Sequence, residues 1–192
     1  MQTIGAAMFT HPLADGVHLR TLEPWYADEF AAHLDRAREH IRPWVGPSFV
    51  TETVDEARAT LVRYAEATAR DEARLVGIWA EGTLVGGLMF VDFNAAGGTA
   101  ELGCWLEPAG EGRGLITTAG RVMLDWAFTQ RGLHRIEWRC RADNVRSAAT
   151  ARRLGMTHEA TLRQAWLNGG IHHDKQIWAI LADEHRAARA SA

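Results

Sequence analysis

Gly110, Gly112 and Gly114 stand at alternate positions directly before a run with helical apolar spacing. A chain without Cβ atoms brings its N–H groups close to a ligand at such a turn. The first N–H groups of the following helix have no partner inside it. Together with the helix dipole they favour a phosphate or pyrophosphate, and Arg113 and Thr117 offer side-chain donors beside it. A strand-to-helix turn that needs glycines only to fit is the other reading of the same residues. Two familiar phosphate loops do not match. In a G-x-G-x-x-G fingerprint the third glycine would fall on Leu115 or Thr117, and no G-K-[ST] closes a Walker loop. His172 and His173 are adjacent, but no third ligand stands at a recognisable spacing, so no metal is expected. Cys104 and Cys140 fall inside expected strands and make no disulfide framework; they read as buried free thiols in a reducing cytoplasm.

The glycines join a strand to a helix. Glu101–Leu106 alternates, with Leu102, Cys104 and Leu106 on one face and Glu101, Gly103 and Trp105 on the other. Pro108 stops it. Leu115, Ala119, Val122, Met123, Trp126 and Ala127 then form one helical stripe, closed by Gly132. Upstream, Val17–Leu22 reads as a strand, and Pro24 opens a helix carrying Tyr26, Phe30 and Leu34. Pro43 and Pro47 make residues 41–47 a loop. Thr53 and Glu56 form a capping box before a helix with Val54, Ala57, Leu61, Tyr64 and Ala65 on its stripe. Strands Leu75–Ala80 and Leu84–Phe93 turn at Glu81-Gly82, and Asn94–Gly98 turns into the central strand. Downstream, His134–Cys140 alternates and should lie parallel to Glu101–Leu106, because a strand, a helix and a returning strand make a right-handed crossover. A helix at Asn144–Leu154 and strands Met156–Trp166 and Ile171–Leu181 complete the order, with a frayed tail over Ala187–Ala192.

The bulk properties bound the function. The 192 residues fit a single domain, 1–192, with a core from about residue 13 to 183. Hydrophobic residues are 47% and charged residues 23%, as in globular proteins. A net charge of -3 and a pI near 6.3 argue against binding nucleic acid through general phosphate attraction. No apolar run approaches the ~20 residues of a membrane span. Met1-Gln-Thr-Ile-Gly5 has neither the basic n-region nor the h-region of a secretory signal.

Several motifs occur in a fixed order. Glu107-Pro-Ala-Gly-Glu-Gly-Arg-Gly-Leu-Ile-Thr117 resembles the acyl-CoA pyrophosphate loop of the GNAT N-acetyltransferases, with the RimJ/RimL-like ribosomal-protein N-terminal acetyltransferases nearest in pattern. Leu133–Ala148 resembles that branch's next strand and its N-x-x-S helix start, here Asn144 and Ser147. Leu154-Gly-Met156 resembles its L-G-F, and Leu167-Asn-Gly169 with His173-Asp174 its final hairpin. The similarity runs from about Leu13 to Asp183. It implies an α+β, three-layer α/β fold: a mixed, mostly antiparallel sheet of about six or seven strands flanked by about four helices.

The resemblance also implies a reaction. An acceptor amine, either a protein N-terminus or a small amine, attacks the thioester of acetyl-CoA or another acyl-CoA directly. A succinyl donor and a non-catalytic CoA-binding regulatory module are the alternatives, and a homodimer is consistent with the branch. Backbone N–H groups near Cys104, Trp105 and Leu106 would bind the oxyanion. Glu111, Gly112, Arg113, Gly114, Leu115, Ile116 and Thr117 would cradle the pyrophosphate, and Asn144 would bond the pantetheine arm. Ser147 would protonate the departing thiolate; an ordinary helix cap is its other reading. Trp44 and Phe49 would wall the acceptor site, or else pack on the core. The base is where the pattern departs. The RimL-like glutamate before the last hairpin is replaced by Gln164-Ala-Trp166, and Glu159 lies too early. Glu101 and His173 remain as candidates, as does a water chain serving an α-amine. Glu111 departs too, since a carboxylate beside a pyrophosphate is repulsive; it would either point outward or weaken binding.

Overall fold

The structure, a computed structural model, describes residues 10–190. The reading of Met1–Gly5 and the last two residues of the tail lie outside that range. Eight strands form one sheet in the order β1-β2-β3-β4-β5-β6-β8-β7. They are β1 (Thr10–Ala14), β2 (Val17–Thr21), β3 (Arg74–Ala80), β4 (Thr83–Asn94), β5 (Thr99–Leu106), β6 (Arg135–Arg141), β7 (Thr157–Asn168) and β8 (Ile171–Leu181). Five helices accompany them: α1 (Ala27–Ile41), α2 (Val54–Ala69), α3 (Leu115–Asp125), α4 (Val145–Arg153) and α5 (Ala182–Ala190). The GNAT-type mixed sheet is present, with one strand and one helix more than expected.

Both additions have a physical reason for escaping the pattern. β1, Thr-His-Pro-Leu-Ala, lacks alternation; it is the outermost strand, where Pro12 costs no ladder bond. α5 replaces the frayed tail through Ala190. His185 and Arg189 both reach Asp125 at the end of α3, at 2.6 and 2.5 Å, and Glu184 accepts from Leu181 N. Elsewhere the local chemistry acts as read. Glu81 and Gly82 both take positive φ and link β3 to β4 in two residues, and the capping box of Thr53 and Glu56 is formed.

The sheet separates two cores. One face packs Leu102, Leu115, Ala119, Met123, Ile136 and Trp138 under α3 and α4; the other packs Phe30, Leu34, Leu61, Trp79 and Trp105 under α1 and α2. The feature that positions the site lies between β5 and β6. They pair in parallel only from Thr99–Glu101 to Arg135–Glu137. Beyond Glu101 they diverge, β5 staying on β4 and β6 on β8 through Arg141. The irregularity in the β4–β5 ladder falls at Val91, between Phe90 and Asp92, and not at Gly103. Glu101 therefore keeps its place on the Trp105 face.

Candidate active site

The divergence opens a cavity of about 1130 Å³ that both helical layers line. On the α3/α4 side lie the glycine turn and the first turns of both helices. Gly112 and Gly114 take φ of +73° and +70°, and a Cβ at either would meet nothing, so conformation and not space requires glycine there. Gly114 is the N-cap of α3, and the first intrahelical bond runs from Thr118 N to Gly114 O. The N–H groups of Leu115, Ile116 and Thr117 therefore have no acceptor within the helix. All three residues line the cavity, as do Glu111, Gly112 and Gly114. Arg113 is exposed and does not. The cations there are Arg146 and Arg153 of α4. Arg153 donates from Nε to Thr117 Oγ1 at 3.3 Å and from a terminal nitrogen to Thr150 Oγ1 at 3.0 Å. Sequence reading missed both, although positions 146, 150 and 153 share one helical face next to Asn144.

Glu111 resolves the expected repulsion in a third way. Its carboxylate accepts from Arg146 at 2.5 Å and meets His40 Nε2, at the end of α1, at 2.7 Å. A phosphate arriving here competes with Glu111 for Arg146. Glu111→Gln is expected to lower the Kd for CoA roughly threefold to tenfold, since one less like charge is worth about 1 kcal/mol at such distances. Isothermal titration at low and high salt checks it: the gain should shrink as salt rises.

β5 borders the gap with its backbone. Glu107 N donates to Val85 O, so by the alternation of an antiparallel ladder the N–H groups of Trp105 and Gly103 face β4. Those of Cys104 and Leu106 face the gap. A buried network holds this end of the strand. Trp105 Nε1 donates to His33 Nε2 at 2.9 Å, and His33 Nδ1 meets Glu107 Oε2 at 3.2 Å. Arg36 grips the same carboxylate oxygen at 3.1 Å and Leu84 O at 2.8 Å. Accepting from Trp105 leaves His33 with its proton on Nδ1. Burial, aided by the Arg36 charge, pushes its pKa down to about 4.

Ser147 and Asn144 part roles. Asn144 is the cap of α4, its Oδ1 accepting from Ser147 N at 3.1 Å. The Ser147 hydroxyl accepts instead from Trp138 Nε1 at 2.9 Å and lines the cavity beside the Cys140 thiol, with which it also interacts. Cys104 and Cys140 also line the gap. Burial pushes the Cys104 thiol up to about 12; the Cys140 thiol is pushed up too, against the pull of the Ser147 hydroxyl. Neither is a thiolate near neutral pH.

On the α1/α2 side the floor is Glu101, Gly103 and Met89, walled by Tyr64, Trp44 and Trp166. Burial raises the Glu101 carboxyl, with Arg139 at 3.1 Å opposing. Phe49 is 5% exposed and packs against Trp105 with ring centroids 4.7 Å apart and planes tilted at 41°, so it builds the floor from within the core. Trp44 stands half-buried at the wall, with the Arg141 guanidinium 4.7 Å over its ring. His173 falls outside the lining. It sits opposite Trp166 in the β7–β8 ladder, and Trp166 is the residue that reaches the cavity. Glu159 is likewise outside, exposed and paired with Arg135 at 2.5 Å. Among the described residues no three His, Cys, Asp or Glu side chains converge as a metal site, and no helix is long and apolar enough to cross a membrane.

Comparison with known proteins agrees with this geometry. The acetyltransferase (GNAT) domain model matches residues 17–157. The chain is 32% identical over 132 residues to the probable N-acetyltransferase YjcK of Bacillus subtilis, covering 67% of this chain and 73% of that one. It is 28% identical over 137 residues to the ribosomal-protein-serine acetyltransferase of Escherichia coli, covering 71% and 76%. Among solved structures, RimL, a ribosomal L7/L12 alpha-N-protein acetyltransferase in complex with coenzyme A, superposes with a TM-score of 0.85 at 22% identity, over 91% of this chain and 99% of that one. This last likeness is one of fold.

Proposed function

The chain belongs to the GNAT acetyltransferase family, and from that premise we propose how its own cavity carries out acetyl-CoA-dependent N-acetylation. The acceptor is a primary amine, a protein N-terminal α-amine or a small amine. The observation that carries this reading is the gap between β5 and β6. It joins a phosphate cradle on one face of the sheet to a carboxylate-floored trough on the other, with free N–H groups between them.

The pyrophosphate of the donor lies on the N–H groups of Leu115–Thr117, beside Arg146 and Arg153. The thioester carbonyl points at the N–H groups of Cys104 and Leu106, which stabilise the oxyanion. The amine enters from the α1/α2 side, where Glu101 takes its proton. An α-amine, with a pKa of about 7.7–8.0, needs far less help than a lysine near 10.4. Nitrogen attacks the carbonyl carbon, and the C–S bond then breaks. The Ser147 O–H protonates the departing sulfur, and the second proton, shed by the nitrogen as the amide forms, restores the hydroxyl. The presence of Glu101 and Ser147 in one cavity supports a catalyst over a CoA-binding module, and the acetyltransferase relatives support acetyl over succinyl. Cys104 and Cys140, both free, suit a reducing cytoplasm.

The test pairs binding with turnover. Acetyl-CoA at 100 times its Kd is expected to stabilise the protein by about 2.7 kcal/mol, and NAD not at all. Glu101→Gln is expected to lower kcat roughly 100-fold near pH 7. The loss should shrink above pH 8, because the amine then arrives neutral. Full activity of that variant at pH 7 would leave the base to solvent, and no stabilisation by any CoA ester would sink the reading of the cradle.

A further inference from the structure

Most cations lining the cavity are matched by a carboxylate. Arg70 pairs with Glu72 at 2.9 Å, Arg139 with Glu101 at 3.1 Å, and Arg146 with Glu111 at 2.5 Å. Among the described residues two lining arginines have no carboxylate within ion-pair distance. Arg153, on the α3/α4 side, bonds only hydroxyls and stands at the phosphate cradle, where the donor's phosphates account for it. Arg63, on the α1/α2 side, stands where no phosphate is called for. It donates to Ser48 Oγ at 2.9 Å, and its guanidinium lies 5.4 Å over the Tyr64 ring. Arg63, Tyr64 and Glu101 line the same trough; burial raises the Tyr64 hydroxyl, with Arg63 opposing and Glu101 adding to the shift. The helix sets this up: positions 63, 67 and 70 of α2 share the face turned to the trough, and the Ser48 hydroxyl comes from the loop before it.

We propose that Arg63, with Ser48, binds a carboxylate carried by the acceptor, so that the preferred acceptors are amines bearing a nearby carboxylate. This rests on the acetyltransferase reading above. The amine turns to Glu101 and the carboxylate to Arg63. A guanidinium presents a planar fork that matches a carboxylate in two bonds. Its partner here is a neutral hydroxyl, which an arriving carboxylate outbids without breaking an ion pair. The Tyr64 face beneath it limits how far the fork swings. Two sources share this chemistry, a free amino acid and a peptide N-terminus followed by an acidic residue.

The experiment measures acetyl transfer to four acceptors: alanine, alaninamide, Ala-Asp-Ala-amide and Ala-Asn-Ala-amide. The carboxylate member of at least one pair should show a kcat/KM about tenfold higher, expressed in KM, as expected of one charge-assisted contact. Whichever pair shows it names the source. Arg63→Gln should raise KM for that acceptor about tenfold and leave its neutral partner within twofold. Arg63→Lys should keep part of the preference, having the charge without the fork. Equal KM values within both pairs for the unaltered enzyme overturn the proposal, as does an Arg63→Gln effect equal on both members. Transfer to none of the four, with acetyl-CoA still binding, overturns it together with the assignment of the trough as the acceptor site.

Discussion

Replacing Ser147 by alanine is expected to lower kcat about 100-fold while the Kd for acetyl-CoA stays within twofold. A positioned proton donor contributes roughly 10²–10⁴-fold, and the lower end fits a thiolate, a better leaving group than an amine. The geometry separates this role from capping. Asn144, not Ser147, caps α4 with its side chain, so a purely structural Ser147 would cost the helix little when truncated. What truncation does strand is the indole N–H of Trp138, a residue 2% exposed. An unsatisfied buried donor costs about 1–3 kcal/mol, so the melting temperature should fall as well. Activity is therefore compared at a temperature where both proteins are folded, and Ser147→Thr serves as the control that retains an O–H. Recovery with threonine and not with alanine identifies the proton. Equal loss in both would place the effect on packing around Trp138.

Acid should destabilise the protein between pH 6.5 and about 4, and His33 should account for about 3 kcal/mol of that loss. The His33 pKa is about 4 when folded and 6.5 unfolded. Above pH 6.5 the ring is neutral in both states and its full contribution is present. As pH falls below 6.5 the unfolded chain takes up a proton that the folded one does not, and stability declines by about 1.36 kcal/mol per pH unit until the folded ring titrates as well. Burial sets the sign, and the Arg36 charge adds to it. Trp105 donates to one nitrogen, Arg36 adds positive charge, and Glu107 is already held by Arg36. Protonation would set a second N–H against the indole N–H. His33→Gln keeps an acceptor for Trp105 and a donor for Glu107 but cannot titrate. Denaturant melts at pH 7 and pH 4.5 should therefore show a smaller difference for the variant. An unchanged difference would assign the acid loss to other groups.

Legibility in the sequence followed the range of the interaction. Strands β3, β4, β6 and β8, the capping box of α2 and the I′ turn at Glu81-Gly82 are written in residues within a few positions of each other. β1 and α5 are not. One is held as an outer strand on β2 with Leu13 packed on the core, the other by Asp125 across 60 residues of chain. The glycine turn was legible because it is a single turn, and Gly112 and Gly114 take the positive φ that glycine permits. The cations beside it were not: Arg113 lies in the motif but outside the cavity lining, while Arg146 and Arg153 line it from a helix packed alongside α3. His173 is opposite Trp166 across the hairpin, so the two side chains share one face of the sheet, and the indole is the one that lines the trough.

By itself, then, the sequence determined the family, the order of elements from β2 to β8, the glycine turn before α3 and the face of β5 that carries Glu101. All of these depend on periods and spacings inside short segments. Only the tertiary structure decided that Ser147 faces an indole and not its own helix, that Glu111 is drawn to His40 and Arg146, and that His33 bears on Trp105 and Glu107. It also decided that Arg63 stands beside the trough with only a hydroxyl for a partner. Which charge finds which partner depends on where packed layers bring distant segments, and no local pattern encodes that distance.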